Sequence, residues 1–232
     1  MVLFTSGMCR KEHSCDMSVH YHKCLDYVIP FLSEESVAMD VGCNINHIIE
    51  RDNAVWVEDW NDDFTLLFMD RFPKSKCYAI EPLHWQEFEK RWEGDQRIDL
   101  LKFGLSDKDG PELIFYPGER HVLSSFYVQD DFLGEPLNTH KIPCKKLDTL
   151  FEELNLECID YLKVDAEGAE LKIIAGSQEL LRDKKIRFVQ FEYGLPDPNI
   201  PPVNLITEIL EKHGYKEVMT SGREKLWTFE DV

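Results

Sequence analysis

No GxGxxG turn, no GxxxxGKS/T loop and no CxxC pair occurs in this sequence. The first absence speaks against a dinucleotide held by its pyrophosphate, the second against a nucleoside triphosphate cradle, and the third against a regular zinc finger. Positive charge is scarce as well: 26 Lys and Arg stand against 44 Asp and Glu, a net charge of −18. So acidic a chain does not suit a nucleic-acid backbone or an anionic membrane as its main partner, but it is compatible with a neutral partner such as a sugar, or with a cation. No apolar run approaches the length of a membrane span, and the first residues lack the apolar core of a signal peptide.

What is present is globular material. Forty-three per cent of the 232 residues are apolar, which suits one large domain (residues 1–232) with a substantial core. The seven cysteines are odd in number and scattered, and read as reduced thiols of a cytoplasmic protein. Cys9, His13, Cys15, His20, His22 and Cys24 crowd metal-ligand residue types near the N-terminus. Without regular ligand spacing, the plainer reading is a soluble lead-in over residues 1–17 rather than a zinc site.

Strands alternate with helices along the rest of the chain. Residues 18–32 read as a helix, "SVAMDVG" as a buried strand, "DFTLLFMDRF" as a helix, "KCYAIEP" as a strand and "WQEFEKRW" as a helix. "IDLLKFGLSD" reads as a third strand stopped by "DKDG", and residues 111–144 as a hairpin with loops on the acceptor side. "LDTLFEELNL" begins a helix behind an acid, "IDYLKVD" is a fourth strand, and one amphipathic helix follows it. "IRFVQFEYG" is a fifth strand, "NLITEILEKHG" a helix, and "KEVMTSGREKLWTF" two strands about a Ser-Gly turn. This order predicts an α/β fold, a mostly parallel sheet covered by helices on both faces and closed by an antiparallel C-terminal hairpin.

Ligands of such sheets bind beyond the carboxyl ends of the strands. Here those ends read "MDVGCN", "AIEP", "GLSD", "VDAEG" and "FEYG", and every one carries an acid. One acid at a strand end is usually a solvated terminus; a full set on the ligand-binding face points to a cationic cofactor or to proton transfer. S-adenosylmethionine, with its sulfonium and ammonium groups, suits the pattern better than a pyrophosphate. Glu81 has two oxygens for two ribose hydroxyls, and Gly42 has no side chain to obstruct a close ligand.

"DVGCN", "AIEP", "GLSDKDG", "SSF", "LDTLFEEL" and above all "IDYLKVDAEGAELKIIAGSQELL" resemble the FkbM-type methyltransferases, from about Val37 to Glu192. The resemblance implies a seven-stranded, Rossmann-like class I methyltransferase sheet and methyl transfer from S-adenosylmethionine, commonly to oxygen on sugars, glycans or related natural products. It places Asp40, Gly42 and Asn44 at the methionine end of the cofactor, Glu81 on the ribose, Leu105, Ser106 and Asp107 at the adenine, and Asp165 near the reacting methyl. The chain departs from the family where Asn46 replaces the last glycine of the usual DVGANIG, and where "HIIERDNAVWVEDWND" is inserted, a loop over residues 46–62. Its Trp56 and Trp60, beside Glu58 and Asp59, suit a carbohydrate acceptor, though tryptophans that merely anchor a long loop would look the same.

Methyl transfer to an aliphatic hydroxyl needs a general base, or a metal that lowers the hydroxyl pKa. Asp165, Glu167 and Glu192 are the first base candidates, and His121 and His84 the next. Asp165 and Glu192 could instead ligate Mg²⁺ as hard oxygen donors. The rival functions are a nicotinamide-dependent oxidoreductase, disfavoured by the missing glycines, and a non-enzymatic module retaining the fold as a scaffold, for which the altered "CNINH" loop is the best argument. Glu170, past Gly168, reads as a first-turn acid favoured by the helix dipole and outside the reaction centre.

Overall fold

The computed structural model describes residues 23–43, 49–51, 54–56, 64–83, 85–117, 125–128, 137–193 and 200–232. A helix over residues 23–28 (α1) tightens into a 3₁₀ turn at Ile29–Phe31, and β1 follows at Val37–Val41. Then come β2 (Ile49–Arg51), β3 (Ala54–Trp56), α2 (Phe64–Arg71), β4 (Lys76–Ile80), α3 (Trp85–Arg91) and β5 (Ile98–Leu101). The middle of the chain forms β6 (Gly104–Leu105), β7 (Gly110–Pro117), β8 (Leu137–Lys145) and α4 (Leu147–Glu153). The C-terminal part forms β9 (Ile159–Val164), α5 (Glu170–Ala175), α6 (Gln178–Arg182), β10 (Ile186–Glu192), α7 (Asn204–Lys212), β11 (Lys216–Ser221) and β12 (Glu224–Thr228).

Seven strands make the main sheet, in the order β11-β12-β10-β9-β1-β4-β5. β12 runs antiparallel to both its neighbours, and the other pairings are parallel, as alternation of strand and helix requires. Apolar side chains leave the central strands on alternate faces and fill two cores. Met39, Leu162, Val164, Val189 and Phe191 pack with Leu147, Ile173, Leu180 and Leu210 on one face. Ala38, Tyr161 and Phe188 pack with Leu25, Phe64, Phe68 and Phe88 on the other. Among the described residues, no helix is long and apolar enough to cross a membrane.

Three local expectations are revised. "IDLLKFGLSD" is not one strand: β5 ends at Leu101, and β6 pairs with β8 in a separate three-stranded sheet, β6-β8-β7. Gly104 permits this turn away, because a Cβ there would stand 2.8 Å from the Ile142 side chain. The helix expected after "VDAEG" is two, α5 and α6, broken at Gly176, where a Cβ would come within 2.0 Å of the Ser106 carbonyl oxygen. Asp148 then caps the second piece, accepting from the amides of Glu179 (3.3 Å) and Leu180 (3.1 Å). Within the inserted residues 46–62, β2 and β3 form a short antiparallel pair, with Ile49 opposite Trp56, where a plain loop was expected. The hairpin expected in residues 111–144 is present as β7 and β8, paired from Gly110↔Cys144 to Pro117↔Leu137.

Candidate active site

The strand order reverses direction between β1 and β9, and the two strands end side by side. Asp165 donates its amide to the Val41 carbonyl (3.0 Å), and Gly42 donates to the Ile80 carbonyl (3.0 Å). Gly42 has φ +81°, and a Cβ on it would stand 1.8 Å from the Asp165 carbonyl oxygen. The missing side chain therefore lets the end of β9 close against the turn after β1, a reason for glycine that holds before any ligand arrives.

Below this junction lies a polar wedge inside the sheet. Register sets Asp40 beside Lys163 and Lys163 beside Gln190, all on the face that α1 and α2 cover. Asp40 is 1% exposed and Lys163 6%. Thr65, carried by α2, donates to Asp40 Oδ2 (2.7 Å), while Lys163 Nζ lies 3.5 Å from Asp40 Oδ1 and 3.4 Å from Asp165 Oδ2. Burial alone would lower the Lys163 pKa, but the charges of Asp165 and Asp40 outweigh it and hold the ammonium above the ordinary lysine range. Beside this group, Tyr161 donates its hydroxyl to Gln190 Oε1, and Gln190 Nε2 donates to Glu224 Oε2 (2.9 Å).

The next row toward the strand ends is carboxylic. β12 runs backward, so its first residue, Glu224, arrives opposite Glu192 at the end of β10. Arg223, just before it, donates from Nη2 to Glu192 Oε1. Burial, with the charge of Asp165 next, pushes Glu192 up to about 10 against the pull of Arg223. The same two causes, in the same order, raise Glu224 to about 8. Glu167 has a left-handed backbone (φ 50°) and is likewise raised to about 8, by burial first and then by Asp165 and Glu170. Glu170 does begin α5, as expected, but its role is local: its buried Oε1 accepts the amides of Ala166 (2.8 Å) and Gly168 (3.3 Å), clamping the loop. Burial raises its pKa to about 7.

On the other side of β1, Glu81 follows β4 and is buried; its Oε1 accepts the amide of Leu83 (2.7 Å), which orients the carboxylate. Ser106 and Asp107 come after β6 rather than at an end of the main sheet. Ser106 Oγ lies 3.0 Å from Asp107 Oδ1 and also meets Glu112 Oε1, and Lys172 of α5 sits 2.6 Å from Glu112 Oε2.

Asn44, Trp60, His84, His121, and the cluster from Cys9 to His22 lie outside the described residues, as does the side chain of Trp56. Cys24, the last member of that cluster, is a core residue of α1, and burial pushes its thiol up to about 12. The Mg²⁺ pairing of Asp165 with Glu192 is not supported, because Lys163 lies beside one carboxylate and Arg223 binds the other. Among the described residues, no group of three or more His, Cys, Asp or Glu stands where it could hold a metal ion. Sequence reading missed Lys163, Gln190, Arg223 and Glu224. Alternation in "IDYLKVD" and "IRFVQFE" held the signal for the first two, since Lys163 and Gln190 interrupt apolar strands at in-facing positions.

A sequence profile described as "Methyltransferase FkbM domain" matches residues 40–217. The chain belongs to the FkbM methyltransferase family. Three curated proteins share more limited similarity with this FkbM member. The AMB antimetabolite synthetase AmbE of Pseudomonas aeruginosa is 23% identical over 80% of this chain and 10% of its own length. The 2-O-methyltransferase NoeI of Sinorhizobium fredii is 24% identical over 68% of this chain and 63% of its own. Methyltransferase 1 of Beauveria bassiana is 29% identical over 66% and 62%. The chain thus spans a tenth of the first protein and just under two thirds of the other two. A crystal structure of an FkbM methyltransferase from Methylobacillus flagellatus aligns with 85% of the chain and 44% of its own, at 15% identity and a TM-score of 0.49.

Proposed function

We propose that this FkbM-family chain is an S-adenosylmethionine-dependent O-methyltransferase of the cytoplasm, acting on a sugar hydroxyl of a glycan or glycosylated natural product. The observation that carries the reading is the carboxylic row at the ends of β9, β10 and β12, with Lys163 lodged beneath Asp165. The row offers oxygens that can accept hydrogen bonds from a polar donor carrying an ammonium group, and the methyltransferase family supplies the reaction class. The name of the Sinorhizobium relative, a 2-O-methyltransferase, is consistent with oxygen as the acceptor atom. Among the described residues, Cys24, Cys43, Cys77, Cys144 and Cys158 form no disulfide, which suits a reducing compartment.

When bound, the cofactor supplies an electrophilic methyl group. The chain would hold it with Gly42 and Asn44 at the methionine end, Glu81 on the ribose, and Leu105, Ser106 and Asp107 at the adenine. Asp40 contributes by anchoring the strand end, since its carboxylate faces Thr65 and Lys163. The proton of the acceptor hydroxyl passes to a carboxylate. Glu192 and Glu167, raised to about 10 and about 8, hold protons near neutrality, so they are poorly poised to accept another. Asp165 has the Lys163 ammonium at 3.4 Å, which favours a charged carboxylate, and it is the base we assign. Trp56 and Trp60 would pack against the acceptor ring, so alanine at either should raise the acceptor KM and leave cofactor affinity unchanged.

The test is calorimetric binding of S-adenosylhomocysteine, followed by incubation with S-adenosylmethionine and a panel of sugar acceptors, with methylated products read by mass. Cofactor binding with a methylated sugar supports the reading. Absence of binding favours the scaffold alternative instead.

A further inference from the structure

Helix α5 links the loop after β9 to the segment after β6. Glu170 at its start clamps the loop that follows Asp165, and Gly176 at its end abuts the Ser106 carbonyl oxygen. Lys172, between them, reaches the segment after β6. Its Nζ lies 2.6 Å from Glu112 Oε2 and 3.7 Å from Asp107 Oδ1, and 5.2 Å from the centre of the Phe126 ring.

This segment is held from several directions. Ser106 is fully buried, and its amide donates to the Lys145 carbonyl (2.9 Å). Its hydroxyl meets a carboxylate of both Asp107 and Glu112. One hydroxyl has one proton to donate, so it cannot satisfy two carboxylates, and their charges repel. The Lys172 ammonium offsets that repulsion. Without it, Asp107, whose side chain is 47% exposed, is free to swing into water. With it, Ser106 Oγ and Lys172 Nζ both approach Asp107 at Oδ1, which orients the carboxylate with Oδ2 as the acceptor for a ligand.

We propose that Lys172 is a positioning residue that holds Asp107 as an oriented acceptor for the exocyclic amino group of a bound adenine, so that the chain distinguishes adenine from hypoxanthine. The inference rests on the cofactor reading above, which places Asp107 at the adenine. An amino group donates to the carboxylate, whereas the hypoxanthine carbonyl in its place opposes it.

The experiment compares calorimetric affinities for S-adenosylhomocysteine and S-inosylhomocysteine in the wild-type protein, Lys172→Met and Lys172→Arg. The wild type should prefer the adenine compound on the order of 10- to 100-fold, the usual scale of a hydrogen bond to a charged group. Lys172→Met should lose most of that preference, chiefly through weaker adenine binding, and Lys172→Arg should keep most of it. A merely structural lysine would weaken both ligands equally, and that result overturns the proposal, as does an unchanged preference in Lys172→Met. Should Lys172→Met fail to fold, the double variant Lys172→Met/Glu112→Gln removes the excess buried charge; a wild-type preference retained there also overturns it. Wild-type binding of both compounds with no preference defeats the inference and leaves the cofactor reading standing. Binding of neither defeats both.

Discussion

Replacing Lys163 with methionine should destabilise the protein through one residue in particular, Asp40. Methionine fills nearly the same volume and removes only the charge. Asp165 would lose its cation too, but its side chain is 18% exposed and water can compensate in part. The Asp40 side chain is 2% exposed, and its Oδ1 has no hydrogen bond, only the Lys163 charge at 3.5 Å. Thr65 alone would remain, on Oδ2. Breaking a buried pair by removing one partner typically costs about 3–5 kcal/mol, because the other charge is left uncompensated. Adding Asp40→Asn removes that charge while the amide oxygen can still accept from Thr65. The double variant should then lie within about 2 kcal/mol of wild type, since neutral replacement of a buried pair is often nearly neutral. Urea unfolding at neutral pH, with m-values checked for constancy, measures all four corners of the cycle. A Lys163→Met loss below about 1 kcal/mol, or a double variant no more stable than Lys163→Met, would refute the claim that the wedge is held by charge compensation.

Asp165→Asn should lower kcat by about 10²- to 10⁴-fold, the scale of general-base catalysis, with S-adenosylhomocysteine affinity little changed; single-turnover methyl transfer with near-normal rates would exclude Asp165 as the base. Glu81→Gln should weaken S-adenosylhomocysteine binding by about 1.5–3 kcal/mol and leave the apo melting temperature nearly unmoved, and unchanged affinity in calorimetry would remove Glu81 from the site. Gly42→Ala should unfold at markedly lower urea, because its Cβ would stand 1.8 Å from the Asp165 carbonyl oxygen and the backbone has φ +81°; an unaltered midpoint would contradict that packing. Glu170, Glu167, Glu224 and Glu192 bind protons more tightly when folded, at about 7, 8, 8 and 10 against an ordinary 4.5. Their contribution is therefore fully present below about pH 4.5 and is lost progressively as pH rises from there through the folded values, so stability should fall from about pH 4.5 toward pH 10, with Glu192 alone carrying the last part. Glu192→Gln should flatten the alkaline part of that decline, and a wild-type stability that rises over this window would show the carboxyls to be solvated.

Much of the protein is local information. Alternating strand and helix patterns specify a mostly parallel sheet, because each pattern records which face of one element is apolar. The "VDAEGAE" segment, Gly42 and Glu81 could likewise be placed at strand ends from their own neighbours. Residues far apart in sequence were decided by pairing instead. Asp40, Lys163 and Gln190 form one polar wedge only because register sets three strands side by side, and the spacing of the letters carries no record of register. Arg223 and Glu224 read only as residues after the Ser-Gly turn of a terminal hairpin. They join the carboxylic row because β12 runs antiparallel into the sheet and brings its start to the ends of the parallel strands. "GLSD" continued an apolar run and so read as a strand end, yet the hydrogen bonds of Ser106 and Gly104 lie with β8, a partner about 40 residues away, whose pull no local pattern displays. The sequence by itself determined which faces are apolar and where most of the parallel strands stop, β5 excepted. Which charges meet at those stops was left to the tertiary structure, because a buried carboxylate's partner is set by distance in space and not by distance along the chain.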